Sequence, residues 1–225
     1  DGNVANGVDS FQANYLLGFE SSLSERVAAL FGGGTRHGDD VTITVDSKLC
    51  TRIVNAFETS ANTKDKSGAA VVMNYRTGEV LALVSLPVFD PQNITDAVKE
   101  DASHPFWNRA LQSTLAPGST FKIITAASAL ENLSGITDYM FTCTGATQVL
   151  DQVIHDYNNE QHGRLSLEKA FTVSCNNAFA QCALMLGDSA LRKTAEDFGF
   201  NDNFLFRDIV VENSVYPTTD RNDVE

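Results

Sequence analysis

Pro117-Gly118 stands directly before a run in which Phe121, Ile124, Ala127 and Leu130 recur every three residues, and that junction limits where a helix can begin. Inside a helix glycine costs about 1 kcal/mol and proline about 3, so the periodic run predicts a helix starting at about Ser119. Ser119 then lies in the first turn, where backbone N–H groups have no intrahelical partner. Residues three apart share a helix face, so Lys122 Nζ can reach Ser119 Oγ while Phe121 and Ile124 point into the core. A serine and a lysine at this spacing also describe a capped helix followed by a solvated lysine. What tells against that is the company of Lys122: Ile123, Ile124, Thr125, Ala126, Ala127, Ala129 and Leu130 follow it, a nearly all-round apolar helix that belongs in a domain core. Burial disfavours the ammonium and lowers a lysine pKa. A hydroxyl and a basic amine one turn apart predict a serine nucleophile with a lysine base.

A second element, Ser174-Cys175-Asn176, lies inside a helical stretch whose apolar residues are Ala178, Phe179, Cys182 and Met185. Ser174 and Asn176 suit a helix cap, and equally a hydroxyl that relays protons and an amide that binds Lys122 or a carbonyl. Taken together, S-x-x-K and S-x-N resemble the motif pair of penicillin-binding proteins and β-lactamases. Asn108-Arg109-Ala110 and the run from Leu115 to Ala126 resemble the nucleophile segment of monofunctional class B penicillin-binding proteins. Phe89-Asp90-Pro91, His162-Gly163 and the phrase Gly78 to Pro87 are also similar to that group. The resemblance extends from about Leu16 to the end of the chain.

That resemblance implies an α+β transpeptidase fold: an antiparallel sheet flanked by helices, with a helical subdomain. Residues 1–40 are then a linker and the end of an N-terminal pedestal region, and residues 41–225 a transpeptidase domain. The implied reaction is D,D-transpeptidation of peptidoglycan stem peptides, with Ser119 as nucleophile, Lys122 as base, Ser174 as relay and Asn176 as substrate clamp. The Ser119 N–H is one oxyanion donor, and β-lactams act as acylating mimics. Two alternatives share the residues: a β-lactamase or β-lactam sensor, and a non-catalytic scaffold for cell-wall assembly. No glutamate after Asn176 lies in a recognisable deacylation motif, Glu212-Asn213-Ser214 being a poor match. Implied partners are stem peptides, β-lactams and cell-wall assembly proteins such as a glycosyltransferase. The implied location is the extracytoplasmic face of a bacterial membrane, held by an N-terminal anchor outside this chain.

The sequence departs from the family in its third motif, K-[TS]-G, which the resemblance places on a strand after S-x-N. Lys193-Thr194-Ala195 lacks the glycine and falls in an amphipathic helical stretch from Ser189 to Phe198, and Lys66-Ser67-Gly68 precedes the nucleophile. Only 49 residues follow Asn176, so the expectation is a fold lacking its C-terminal strands.

The formal charge of −13 opposes nucleic-acid binding, which needs lysine and arginine against phosphate. No apolar run approaches the roughly 18 residues needed to span a bilayer, and no signal peptide opens the chain. Cys175 and Cys182 are about two helical turns apart, too far for a disulfide, and Cys50, Cys143, Cys175 and Cys182 are read as free thiols, mostly buried. His37, His104, His155 and His162 show no metal-ligand spacing with cysteines or carboxylates. Neither a metal nor another cofactor is expected.

Further expectations are a loose Asp1–Ser10, a helix from Leu16 to Leu30 ahead of the flexible Gly32-Gly33-Gly34, and an alternating strand Val41–Val45. A helix capped by Asp46 follows, with Leu49, Ile53, Val54 and Phe57 on one face. Ala69–Asn74 and Glu79–Ser85 predict a hairpin about Tyr75–Gly78. A long loop from Leu86 to Gly118, anchored by Phe106 and Trp107, leads to a mainly helical remainder.

Overall fold

Asp46 starts the first long helix, α1 (Ser47–Thr59), by accepting the N–H groups of Lys48 at 2.8 Å and Leu49 at 3.2 Å. Those donors have no partner inside the helix. Replacing Asp46 by alanine is expected to cost about 1 kcal/mol and to lower the thermal midpoint by about 2–4 °C. Scanning calorimetry measures this, and an unchanged midpoint would remove the cap from the account.

The protein is described by a computed structural model at residues 7–19, 27, 38–203 and 211–217. It divides into one unit of residues 1–114 with 205–212 and another of residues 115–204 with 213–225.

In the first unit, β1 (Gly68–Met73) pairs antiparallel with β2 (Val80–Leu86), and α1 packs on β2. Ala82, Val84 and Leu86 are buried on one face of β2, the period-two pattern of a half-buried strand. The turn closes through Asn74 N–H on Glu79 O at 2.9 Å and Gly78 N–H on Asn74 O at 2.8 Å. Gly78 has φ +79 there, which favours glycine. The register slips between Val72 and Met73, and the Leu81 carbonyl at that bulge accepts Asp46 N–H at 2.8 Å.

Three expectations are corrected in this unit. Val41–Val45 is not a strand: Thr44 Oγ1 donates to Val80 O at 2.7 Å and the following Asp46 N–H to Leu81 O, with no ladder between, and Ile43 is exposed, so no buried face rewards the alternation. Within Asp1–Ser10, Val8–Phe11 forms a helical turn. The helix expected from Leu16 to Leu30 is corrected at its start, where the turn Ala13–Leu16 ends and Gly18 has φ +67, while Val27 is helical as expected. Residues 20–26 and 28–30 of that expectation, and Gly32-Gly33-Gly34, lie outside the described residues.

Phe106 and Trp107 do anchor the long loop, but half-exposed rather than buried. Phe106 packs edge-on against Phe89 with centroids 4.7 Å apart, and Trp107 Nε1 donates to Ser113 Oγ at 3.0 Å. The Ser85 hydroxyl donates to Trp107 O at 3.1 Å and accepts Arg109 N–H at 3.0 Å.

The second unit centres on α2 (Lys122–Asn132), preceded by a 3-10 turn Gly118–Phe121. The α-helix therefore starts one turn later than Ser119. After it come β3 (Phe141–Cys143), β4 (Ala146–Val149), β5 (Gln152–His155) and β6 (Gly163–Leu165), then α3 (Leu167–Thr172) and α4 (Asn176–Asp197). β3 pairs with β6 and β4 with β5, both antiparallel. This segment was expected to be mainly helical, but strands of three or four residues carry too little pattern to read. The core gathers Ala129, Ile136, Phe141, Leu165, Leu167, Ala170, Ala178 and Phe179.

The helix α2 is not apolar all round in its surroundings. Ile124 and Ala129 are buried, as are Lys122, Thr125 and Ser128, while Ile123 and Leu130 are 51% and 58% exposed. Lys122 is thus buried because its face packs on α4, not because the whole helix is enclosed. Phe121 is half-buried, its ring 5.8 Å from that of Phe200. In α4, Gly187 adopts φ 73 and ψ 167, a conformation open to glycine. The expected helix Ser189–Phe198 is the part beyond that kink, and Lys193-Thr194-Ala195 lies within it.

Candidate active site

Four side chains singled out from the sequence meet at the start of α2. Lys122 Nζ lies 3.4 Å from Ser119 Oγ, 3.0 Å from Ser174 Oγ, and 2.6 Å from both Ser174 O and Asn176 Oδ1. Ser174 Oγ is 3.1 Å from Ser119 Oγ. Ser119 and Lys122 come together through one turn of helix. Ser174 and Asn176 arrive from the turn between α3 and α4.

That turn has a definite local cause. Ser174 N–H bonds Phe171 O at 3.1 Å and Cys175 N–H bonds Ala170 O at 2.9 Å, the paired closure of a Schellman motif with Ser174 at its left-handed position. Ser174 has φ +54, where an L residue costs roughly 1–2 kcal/mol and glycine is favoured. Strain of this kind collects at functional positions. Cys175 then caps α4, its Sγ accepting Ala178 N–H at 3.3 Å.

Asp156 and His155 hold the turn from beneath, and neither was singled out from the sequence for this. Asp156, 4% exposed, accepts Asn176 N–H through Oδ1 and Asn177 N–H through Oδ2. The His155 carbonyl accepts Asn176 Nδ2 at 2.9 Å, which aims Asn176 Oδ1 at Lys122. Burial pushes the Asp156 carboxyl up, but bonds from Cys143, Asn176 N–H, Cys175 and Asn177 N–H together hold it below the usual carboxylate value. Burial also lowers the Lys122 pKa from its ordinary 10.5, opposed in part by the charges of Asp156 and Cys175. The ammonium additionally lies over the Phe179 ring, 5.6 Å from its centroid.

The arrangement has a direct chemical reading. A neutral lysine amine offers two N–H groups and one lone pair. Ser174 O and Asn176 Oδ1 can only accept, so they take the two N–H groups and leave the lone pair to the hydroxyls. A proton leaving Ser119 can reach Nζ directly, or through Ser174 over two shorter steps.

No metal set was expected, yet the structure brings ligand atoms of Cys143, Asp156, His162 and Cys175 within 4.8 Å of one another, directly behind the Ser174–Asn176 turn. In sequence these four are separated by twelve, five and twelve residues, unlike the short Cys-x-x-Cys spacing that signals zinc. Cys143, Cys175 and Cys182 are buried free thiols, as expected, and Cys50 is half-buried.

Residues 68–222 match the penicillin binding protein transpeptidase domain. The chain is similar to the peptidoglycan D,D-transpeptidase PbpA of Mycobacterium tuberculosis, 31% identical over 195 residues, and to PbpA of Mycolicibacterium smegmatis, 28% identical over 217. Those alignments cover 78% and 89% of this chain but only 39% and 44% of the relatives, so the chain spans less than half their length. The penicillin G acyl-enzyme complex of penicillin-binding protein A from M. tuberculosis superposes with a TM-score of 0.82 at 27% identity, over 92% of this chain and 51% of that one. With a family match over most of its length and the S-x-x-K and S-x-N side chains within hydrogen-bonding reach of one another, the chain belongs to the penicillin-binding protein transpeptidase family.

Proposed function

We propose that this chain carries the acylating residues of a peptidoglycan D,D-transpeptidase. The observation that carries the reading is the position of Lys122 Nζ, buried and within 3.4 Å of Ser119, Ser174 and Asn176 at once. Its close partners are two hydroxyls, a backbone carbonyl and an amide oxygen rather than a carboxylate.

In this mechanism Ser119 Oγ attacks the carbonyl carbon of the penultimate D-alanine of a stem peptide. Its proton passes to Lys122, directly or through Ser174. The Ser119 N–H, in the first turn of the 3-10 segment, is the expected donor to the developing oxyanion. Collapse breaks the peptide bond, the terminal D-alanine leaves with the proton returned through Ser174, and an acceptor amine repeats the sequence in reverse to form the cross-link. β-Lactams enter by the same attack and remain as esters of Ser119. Stem peptides, β-lactams and cell-wall assembly partners such as a glycosyltransferase are accordingly the ligands proposed for the whole protein, acting outside the cytoplasmic membrane. Among the described residues no helix is long and apolar enough to cross a membrane.

The test is intact mass after incubation of the full-length protein with penicillin. A persistent adduct on Ser119 is the expected result. A transient adduct would make the protein a β-lactamase, and no adduct would leave only a scaffold. Ser174→Ala is expected to slow acylation by about 10²-fold, because the direct route from Ser119 to Lys122 survives its loss. A rate within a few-fold of wild type would remove the relay.

A further inference from the structure

Phe121 stands between Ser119 and Lys122 in the sequence, and the acylation chemistry does not use it. Leu115 to Thr120 are all exposed, and Phe121 is the first half-buried residue after them. The 3-10 turn that it closes, Gly118–Phe121, has no side-chain cap, and Thr120 N–H reaches Pro117 O only at 3.3 Å. Turns of this type bond with poorer geometry than an α-helix, so the place of Ser119 depends on what grips the turn at its two ends. Lys122 is fixed among its acceptors. Phe121 is fixed by two rings: Phe200 at 5.8 Å and 84°, and Tyr216 at 6.1 Å and 37°, both within the range of aromatic pairing. None of Phe121, Phe200 and Tyr216 belongs to the core gathered around Phe141 and Ala178.

We propose that Tyr216 is a positioning residue for the nucleophile: with Phe200 it seats Phe121, and through Phe121 it holds the 3-10 turn so that Ser119 Oγ stays 3.4 Å from Lys122 Nζ and 3.1 Å from Ser174 Oγ. It acts through Phe121 rather than on the reacting atoms, and the inference rests on the acylating role proposed above. Tyr216 is itself braced by the part of α4 beyond the Gly187 kink. Its hydroxyl donates to Asp188 Oδ1 at 3.2 Å, and Arg192 Nη2 donates to Asp188 Oδ2 and to Pro217 O, each at 3.2 Å. The Arg192 guanidinium also lies 5.1 Å from the centroid of the Tyr216 ring, a cation–π contact. The Asp188 and Arg192 side chains are only 21% and 23% exposed, so this pair is partly shielded from solvent. On the backbone side, Tyr216 N–H donates to Asn201 Oδ1 at 3.0 Å, and Asn201 N–H to Ser214 O at 2.8 Å. Ring, hydroxyl and main chain are thus held by separate partners, which gives Phe121 a fixed surface to pack on. The placement matters because a nucleophile displaced by about 1 Å from its attacking geometry can lose about 10²-fold in rate.

The test follows the penicillin adduct of the full-length protein by intact mass, reading the acylation rate and the final adduct per chain separately. Tyr216→Ala should acylate about 10²-fold more slowly than wild type and still reach the same final adduct. A residue needed only for folding would do the reverse, lowering the final adduct while the competent chains kept their rate. Tyr216→Phe keeps the ring and loses only the hydroxyl, so it should acylate within a few-fold of wild type. Val215→Ala, at the exposed neighbouring position, should not differ from wild type. Where Tyr216→Ala is too unstable to label, Tyr216→Leu keeps apolar bulk without the flat ring and should be slowed about tenfold. The route through Phe121 is read from a double-mutant cycle: Phe121→Ala with Tyr216→Ala should be no slower than Phe121→Ala alone. Additive losses in that cycle would overturn the proposal, as would Tyr216→Phe as slow as Tyr216→Ala. Wild-type acylation beside an unimpaired Tyr216→Ala would overturn this inference alone, whereas a wild type that forms no adduct would remove the function on which it rests.

Discussion

Ser119→Ala is expected to abolish adduct formation with penicillin in the full-length protein, a loss of about 10⁴-fold or more in acylation rate. The oxygen that forms the ester is then gone, and no neighbouring hydroxyl can replace it. Ser174 Oγ is the nearest, 3.1 Å away, but it sits on the far turn with its backbone at φ +54, and its hydroxyl lies beside the same lysine as a relay. Ser113→Ala and Ser128→Ala serve as controls and should acylate nearly as wild type. Ser113 Oγ accepts the Trp107 indole N–H, and Ser128 is fully buried on α2 beside Asn132. A fluorescent penicillin read on a gel measures all three. Labelling that persisted in Ser119→Ala would remove the nucleophile and the function proposed with it.

The parts of this site legible in the sequence are those set by local geometry. Ser119 and Lys122 are one turn apart, so their approach follows from helix periodicity alone, and the hairpin of β1 and β2 follows from alternation about a turn with Gly78. Ser174 and Asn176 are more than fifty residues from Lys122. They were placed beside it by family resemblance, because no periodicity spans that distance. Asp156 was missed for a related reason: its role depends on a two-strand hairpin of four-residue strands delivering it under a helix cap. Cys143, Asp156, His162 and Cys175 are spread in the same way over the ends of β3, β5, β6 and α4, so their meeting is a property of the fold rather than of spacing. Where the sequence misled, at Val41–Val45, the alternation was real but Ile43 stays 51% exposed. The burial of Lys122 was anticipated on the ground that its helix is apolar all round. The structure reaches the same outcome through one packed face, leaving Ile123 and Leu130 outward.

Lys122→Arg should fail almost as badly as Lys122→Ala, each acylating about 10²–10⁴-fold more slowly than wild type. A guanidinium keeps the positive charge but cannot give up a proton in a protein, so it can hold the site and not act as its base. It also cannot fit the contacts: Lys122 Nζ serves acceptors at 2.6 Å on two sides, and a planar fork cannot converge on them and leave a lone pair for Ser119. The pH dependence separates base from scaffold. Burial lowers the Lys122 pKa from 10.5, so the free-amine fraction rises, and acylation with it, at a lower pH than for an ordinary lysine. Wild type should therefore show an acid limb with its midpoint below 10.5, and Lys122→Arg a low rate without that limb. Second-order acylation rates across pH, followed by intact mass, measure both. Acylation by Lys122→Arg within a few-fold of wild type, with the acid limb intact, would show that the base is another group and that Lys122 only supplies charge.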